Sequence, residues 1–171
     1  EKLLGVRFNA HRLLVTYHPE TLQNDYSNKD LSKVLSALDA LKETTIIFTM
    51  PNADPGFKQL FRKIEQFVAA QPNNRVAIKS LGQLRYFSLL NCVDAVLGNS
   101  SSGILEAPSF KIGTINIGDR QKGRERAASI IDVKAEKTEV SEALKYLYTS
   151  EFQSKLKYVK NPYFRPNTSR N

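Results

Sequence analysis

The stretch Asp94-Ala95-Val96-Leu97-Gly98-Asn99-Ser100-Ser101-Ser102-Gly103-Ile104-Leu105-Glu106-Ala107-Pro108-Ser109-Phe110 holds an apolar run, then a turn of glycine, asparagine and serines, then a helical segment. Thr114-Ile115-Asn116-Ile117 begins another strand soon after. Strand, turn, helix and strand in that order make a βαβ unit, which builds a parallel sheet through a right-handed crossover. The same alternation continues in both directions. Arg12 to Tyr17 is a short apolar strand, ended by His18-Pro19 because a residue before proline leaves the helical region. Asp30 to Lys42 places Leu31, Val34, Leu35, Leu38 and Leu41 on one helical face. Thr44 to Met50 is a β-branched strand, and Pro51-Asn52-Ala53-Asp54-Pro55-Gly56 is the turn that closes it. Phe57, Leu60, Phe61, Ile64, Phe67 and Val68 mark the next helix; Pro72-Asn73-Asn74 ends it and Arg75 to Ile78 forms a third strand. Gly82 to Cys92 reads as a helix, Asp94 to Leu97 as the fourth strand, Gly103 to Phe110 as a helix and Thr114 to Ile117 as the fifth strand. Ile130 to Val133 makes a sixth, and Glu139 to Thr149 a closing helix capped by Thr138.

The fold class that follows is α/β: a Rossmann-like, doubly wound parallel sheet of about six strands with helices on both faces. In open sheets of this kind ligands bind outside the carboxyl ends of the strands. His18 to Thr21, Pro51 to Gly56, Lys79 to Gln83, Gly98 to Gly103 and Gly118 to Arg126 are therefore the segments expected to carry chemistry.

Composition narrows the partners. The chain has 171 residues, 41% hydrophobic and 25% charged, which suits one globular domain with a full core. One cysteine, Cys92, and two histidines argue against a disulfide scaffold or a structural zinc site, and no metal or cofactor is expected. Cys92, between helical Leu90 and Val93, reads as a core residue, and His11 as surface. No apolar run approaches the roughly 18 to 20 residues of a membrane span. The start, Glu1-Lys2-Leu3-Leu4-Gly5-Val6-Arg7, is too interrupted for a signal peptide, so a reducing, cytoplasmic setting is expected. The formal charge of +8 raises the question of an anionic partner. From Glu151 to Asn171 five basic residues and one acid carry half of that excess, read as solvated surface. A second cluster lies in the loop Asp119-Arg120-Gln121-Lys122-Gly123-Arg124-Glu125-Arg126. Nucleic acid is not expected, because neither a stacking aromatic set nor a recognition-helix pattern accompanies these charges.

The turn Gly98 to Gly103 gathers backbone N–H groups and three hydroxyls at a helix start, a composition suited to phosphate. It lacks the Lys-Ser/Thr of a P-loop and the dinucleotide glycine spacing, and a serine there also serves as a plain cap. Glu106, read in the first turn of that helix, has two roles open to it: compensating the helix dipole, or accepting hydrogen bonds from a ribose diol. Arg120, Lys122, Arg124 and Arg126 crowd a strand end and would repel one another without an anion; Arg120 stands nearest the strand. His18, at the end of the first strand, suits phosphate donation or acid/base work as well as a structural role.

Together Val15-Thr16-Tyr17-His18-Pro19-Glu20-Thr21, Met50-Pro51-Asn52-Ala53-Asp54, Gly98 to Pro108 and Ile115-Asn116-Ile117-Gly118-Asp119-Arg120-Gln121-Lys122-Gly123-Arg124 resemble the UDP-N-acetylglucosamine 2-epimerase family. The hydrolysing branch, of sialic acid and related nonulosonate pathways, is the nearer match. The resemblance runs from about Arg12 to Tyr163 and covers the C-terminal half of such an enzyme. It implies a glycosyltransferase-B architecture, of which residues 1–171 would be the single UDP-binding domain and the catalytic N-terminal half would lie outside this chain. Ser100, Ser101 and the following Ser102 and Gly103 would hold the diphosphate, with Arg120 and Arg124 adding charge. His18 would contact phosphate near the scissile bond, and the main acid/base carboxylates would belong to the other half. Glu106 would take the ribose hydroxyls, Leu81 would offer its backbone to uracil, and Asn52 with Asp54 would face phosphate or sugar. The implied partners are a UDP-sugar and the enzyme's own N-terminal domain, in a homo-oligomeric full-length protein, with no nucleic acid and no membrane. The implied reaction expels UDP from C1 as the C2 proton leaves, giving a 2-acetamidoglucal that takes up water to release N-acetylmannosamine or a related sugar. The same fold would also serve as the donor-binding domain of a glycosyltransferase. After Asn161-Pro162-Tyr163 the chain departs from the family's usual ending, a Gly-rich turn into a crossover helix.

Overall fold

The alternation of apolar runs and amphipathic segments resolves, in a computed structural model describing residues 4–18, 24–50, 58–79 and 81–165, into six strands and their crossovers. The elements are β1 (His11–Thr16), α1 (Asn24–Asp39), β2 (Thr44–Thr49), α2 (Lys58–Ala69), β3 (Arg75–Ile78) and α3 (Gly82–Leu90). They continue as β4 (Ala95–Gly98), α4 (Ser102–Leu105), a 3-10 turn (Ala107–Phe110), β5 (Gly113–Ile117), β6 (Ile130–Val133), α5 (Lys137–Leu147) and α6 (Ser150–Leu156). The strand order is β3-β2-β1-β4-β5-β6, and every neighbouring pair is parallel. β1 pairs with both β2 and β4, so the chain changes direction across the sheet between β1 and β4, and the crevice of a doubly wound fold opens there.

Side chains alternate across this sheet with period two, and both faces are buried, as a parallel sheet requires. Leu13, Val15, Ile46, Phe48 and Leu97 pack with Leu31, Val34, Leu38, Ile64 and Leu147 on one face. Leu14, Ile47 and Val96 face the other way, against Leu89, Leu90 and Ala107. Arg75 opens β3 with its side chain buried, donating to Asp39 at 2.7 Å and to the Phe67 carbonyl at 3.0 Å. Its guanidinium also lies 3.7 Å from the Phe67 ring centre, so this buried cation is fully engaged.

Four local expectations need correction. The helix expected from Gly103 to Phe110 breaks at Glu106, and Pro108, which has no N–H to donate, continues it only as a 3-10 turn. Thr138 lies inside α5, whose N-cap is Glu136 in extended conformation. Thr149 does not end the closing helix but starts a further one, accepting a hydrogen bond from the Phe152 amide at 3.3 Å, and buried Phe152 and Leu156 anchor α6 to the core. Cys92 is exposed, because α3 stops at Leu90 and the following turn carries the cysteine outward while Val93 goes in. His11 is half-exposed, its ring tilted against Tyr148 with centres 4.1 Å apart, and lies 3.8 Å from Asp94. No helix among the described residues is long and apolar enough to cross a membrane.

Candidate functional site

The crevice is built on a backbone approach only glycine permits. Gly98, the last residue of β4, pairs with Thr16 at the end of β1 and has φ 137°. A Cβ there would stand 1.9 Å from the Thr16 carbonyl oxygen. Asn99 follows, fully buried, and clamps the end of β1: its Nδ2 donates to the His18 carbonyl at 2.6 Å and its Oδ1 accepts from the His18 amide at 2.7 Å. Its own amide donates to Thr16 and its carbonyl accepts from Gln121 Nε2 at 2.8 Å, which ties in the loop after β5. One asparagine therefore fixes three strand-end loops relative to one another. Asn99 and Gln121 stand in the quoted motifs without an assigned role; the available signal was an amide directly after a strand-ending glycine, where a buried polar group requires partners.

A cleft of about 450 Å³ opens beside this clamp, lined by His18, Leu81, Ser100, Ser102, Glu106 and Tyr86 among others. Thr16 and Thr49, whose hydroxyls hydrogen-bond to each other, line it from the ends of β1 and β2. Ser102 donates from Oγ to Glu106 Oε2 at 2.6 Å and is also hydrogen-bonded to the Tyr86 hydroxyl. Glu106 is not in the first turn of its helix, as expected from sequence, but at the C-terminal end of α4; the helix is so short that the carboxylate still faces its own start. Glu106 thus places its carboxylate in the cleft, held by the first residue of α4.

The serines and Gly103 divide. Ser100 and Ser102 line the cleft, with the Ser102 amide 3.4 Å from Ser100 Oγ. Ser101 is the N-cap residue of α4 without a side-chain capping bond, and its carbonyl accepts from Ile104 and Leu105. Gly103 is buried in packing: its carbonyl accepts from Thr114 Oγ1 at 2.8 Å, and a Cβ would come within 2.8 Å of Thr114 Cγ2. Asn52 and Asp54 lie outside the described residues.

The basic loop after β5 divides as well. Arg126 is a loop clasp, bound to Asp132 at 2.9 and 3.2 Å and to the Gln121 and Arg124 carbonyls at 3.0 and 2.9 Å. With Lys122 and Asp119 it borders a separate hollow of about 550 Å³ at the ends of β5 and β6. Arg124 is exposed and, like Arg120, is not among the residues lining the cleft. Arg120 is exposed too, yet it acts on His18. Burial, and then the Arg120 charge, hold the His18 imidazole below its ordinary value of 6.5. His18 should accordingly titrate below 6.5 by imidazole NMR, and upward from there in Arg120→Ala. Because the unfolded chain takes that proton more readily, the same group should erode stability as pH falls from 6.5 towards the folded midpoint.

A parallel sheet in this strand order, with a hydroxyl, carboxylate and imidazole cleft at its switch point, defines a Rossmann-like, doubly wound domain. Comparison gives the family: the pattern described as UDP-N-acetylglucosamine 2-epimerase matches residues 3–171, and the chain belongs to that family. It is 39% identical over 153 residues to the GDP/UDP-N,N'-diacetylbacillosamine 2-epimerase (hydrolyzing) of Campylobacter jejuni, covering 90% of this chain and 39% of that protein. It is equally 39% identical over 155 residues to the polysialic acid biosynthesis protein P7 of Escherichia coli, with the same coverage of 90% and 39%. The chain thus spans about two-fifths of the length of these relatives. Among solved structures, the S. aureus MnaA–UDP co-structure superposes with a TM-score of 0.71 at 18% identity, over 92% of this chain and 42% of that one.

Proposed function

We propose that this chain is the UDP-binding part of a UDP-N-acetylglucosamine 2-epimerase of the hydrolysing kind. The observation that carries the reading is the convergence of His18, Leu81, Ser100, Ser102 and Glu106 on one strand-end cleft, with the Arg120 charge acting on His18. In this reading Leu81 presents its backbone to uracil, Glu106 accepts from the ribose hydroxyls, and Ser100 with the amides that open α4 faces the diphosphate. Ser101 contributes through its backbone as the N-cap residue, and Ser102 through its amide, since its hydroxyl is taken by Glu106 and Tyr86. Gly103 acts by letting α4 approach β5.

The chemistry this cleft suits is departure of a diphosphate. As the C1–O bond breaks, its electron pair goes to the UDP oxygen while a base takes the C2 proton, leaving a 2-acetamidoglucal. Water then adds across that double bond with inverted C2 configuration. Negative charge grows on the β-phosphate during the first stage, and fixed N–H groups, a hydroxyl and a guanidinium stabilise it without reorganising. A neutral imidazole at His18 donates a hydrogen bond to phosphate without adding a charge that Arg120 would repel. Proton removal at C2 falls to carboxylates in the remaining part of the enzyme, an N-terminal domain across the cleft. The substrate is a UDP-linked 2-acetamido sugar, N-acetylglucosamine or a 2,4-diacetamido-6-deoxy analogue, the latter in keeping with the diacetylbacillosamine in the name of the Campylobacter jejuni relative.

Two measurements on the 171-residue chain test this. It should bind UDP, and it should release no UDP from UDP-N-acetylglucosamine. Steady UDP release would show that the chain carries its own base and overturn the division of labour. Failure to bind UDP would overturn the assignment of the cleft.

A further inference from the structure

Tyr86 plays no part in the chemistry outlined above, yet it is wired to it. It lies on α3, lines the cleft, and shares a hydrogen bond with the Ser102 hydroxyl, which in turn donates to Glu106 Oε2 at 2.6 Å. Counting protons fixes the direction of this chain. A carboxylate only accepts, so the single Ser102 proton points to Glu106, and the Ser102 oxygen is left to accept from Tyr86. Burial of the phenol pushes its pKa up, more than the Ser102 hydrogen bond lowers it, and the Glu106 charge adds to the rise; the hydroxyl keeps the proton it donates.

We propose that Tyr86 is a positioning residue for Glu106: it holds the Ser102 hydroxyl, which fixes one carboxylate oxygen and leaves the other for a ribose diol. This rests on the assignment of Glu106 to the diol. The need for such a brace is visible in the backbone. Glu106 sits where α4 ends and the 3-10 turn begins, with φ −113° and ψ −49°, so no regular helix face sets its side chain. Glutamate has three free torsions, and ordering them before the ligand arrives lowers the cost of binding. A serine hydroxyl in a helix also has nearby backbone carbonyls as competing acceptors, and a donor on its oxygen from α3 holds it in the productive rotamer. Tyr86 is thereby a means for α3, which follows the base-binding loop, to adjust the grip on the ribose.

The test compares calorimetric binding of UDP and of 2′,3′-dideoxyuridine diphosphate, which lacks the diol, to the chain and its Tyr86→Phe, Ser102→Ala and doubly substituted forms. Tyr86→Phe is expected to weaken UDP roughly 3- to 10-fold, the ratio for a neutral hydrogen bond, and to leave the dideoxy ligand within about 2-fold of its original affinity. The double variant should lose no more than Ser102→Ala alone, because both act through one carboxylate. An equal effect of Tyr86→Phe on the two ligands, including no effect on either, overturns the positioning role. Should Tyr86→Phe fail to fold, Ser102→Ala is held to the same criterion. If the unsubstituted chain does not bind UDP at all, the assignment of the cleft fails and this role with it; normal UDP binding with an indiscriminate Tyr86→Phe sinks the positioning role alone.

Discussion

Gly98→Ala is expected to destabilise the protein by about 3 kcal/mol or more, towards the extreme for single substitutions. The methyl group would be built 1.9 Å from the Thr16 carbonyl oxygen, and the neighbour is backbone within a parallel ladder rather than a flexible side chain. The φ of 137° adds strain that any L-residue would bear. The ladder cannot move away without parting β1 from β4 at the crevice, so UDP affinity should fall together with stability. Gly123→Ala is the control: it too has positive φ, 83°, but open space around the Cβ position, and should cost only about 1 to 2 kcal/mol. Urea unfolding of the two variants decides. A Gly98→Ala protein within about 1 kcal/mol of the parent, below the overpacking range, would mean that the ends of β1 and β4 do not meet as described.

Arg120→Ala should weaken UDP binding by about 1.5 to 3 kcal/mol, the range for hydrogen bonds to charged groups. The residue is exposed and close enough to His18 to depress its titration, so removing it leaves the scaffold intact and subtracts charge from the edge of the cleft. Arg124→Ala, by contrast, removes an exposed side chain that does not act on His18 and should change UDP affinity much less than Arg120→Ala. Titration calorimetry on the two variants separates specific contact from general electrostatics. Equal losses would indicate that total charge, and not the place of Arg120, attracts the diphosphate.

The sheet could be read from the sequence because its signals are local: apolar runs of strand length, amphipathic segments between them, and glycine or proline at the joins. Six parallel strands follow from them, since right-handed crossovers join strand to strand, while the order β3-β2-β1-β4-β5-β6 emerges only in the structure. Short-range energetics misled where two signals competed. Leu105-Glu106-Ala107 continues a helical pattern, but Pro108 denies it a hydrogen bond, and Glu106 ends up closing α4 rather than opening it. Thr149 was expected to finish a helix, whereas its hydroxyl caps the next, because the apolar pair Phe152 and Leu156 supplies a second buried face. Cys92 shows the limit of flanking hydrophobicity as a guide to burial: a turn two residues after a helix end reverses which side faces water.

The site was legible by position and less so by partnership. His18 and Ser100 stand at strand ends, where a doubly wound sheet places its ligand, and Glu106 follows one short helix later; the structure brings them into one cleft. What no spacing rule conveys is the set of contacts between separate elements. The clamp of Asn99 on His18 spans 81 residues and the link from Tyr86 to Ser102 spans 16. The run of four cations read as one cluster divides between Arg126, engaged with Asp132, and Arg120, exposed, whose charge lowers the His18 pKa.

The most direct test of a UDP site at the β1–β4 crevice is a UDP titration of the chain followed by backbone amide NMR. Saturable shifts confined to the loops around His18, Leu81, Ser100 to Glu106 and Arg120 are the expected result. Absence of saturation, or shifts concentrated on the basic segment from Lys155 to Arg165, would contradict it.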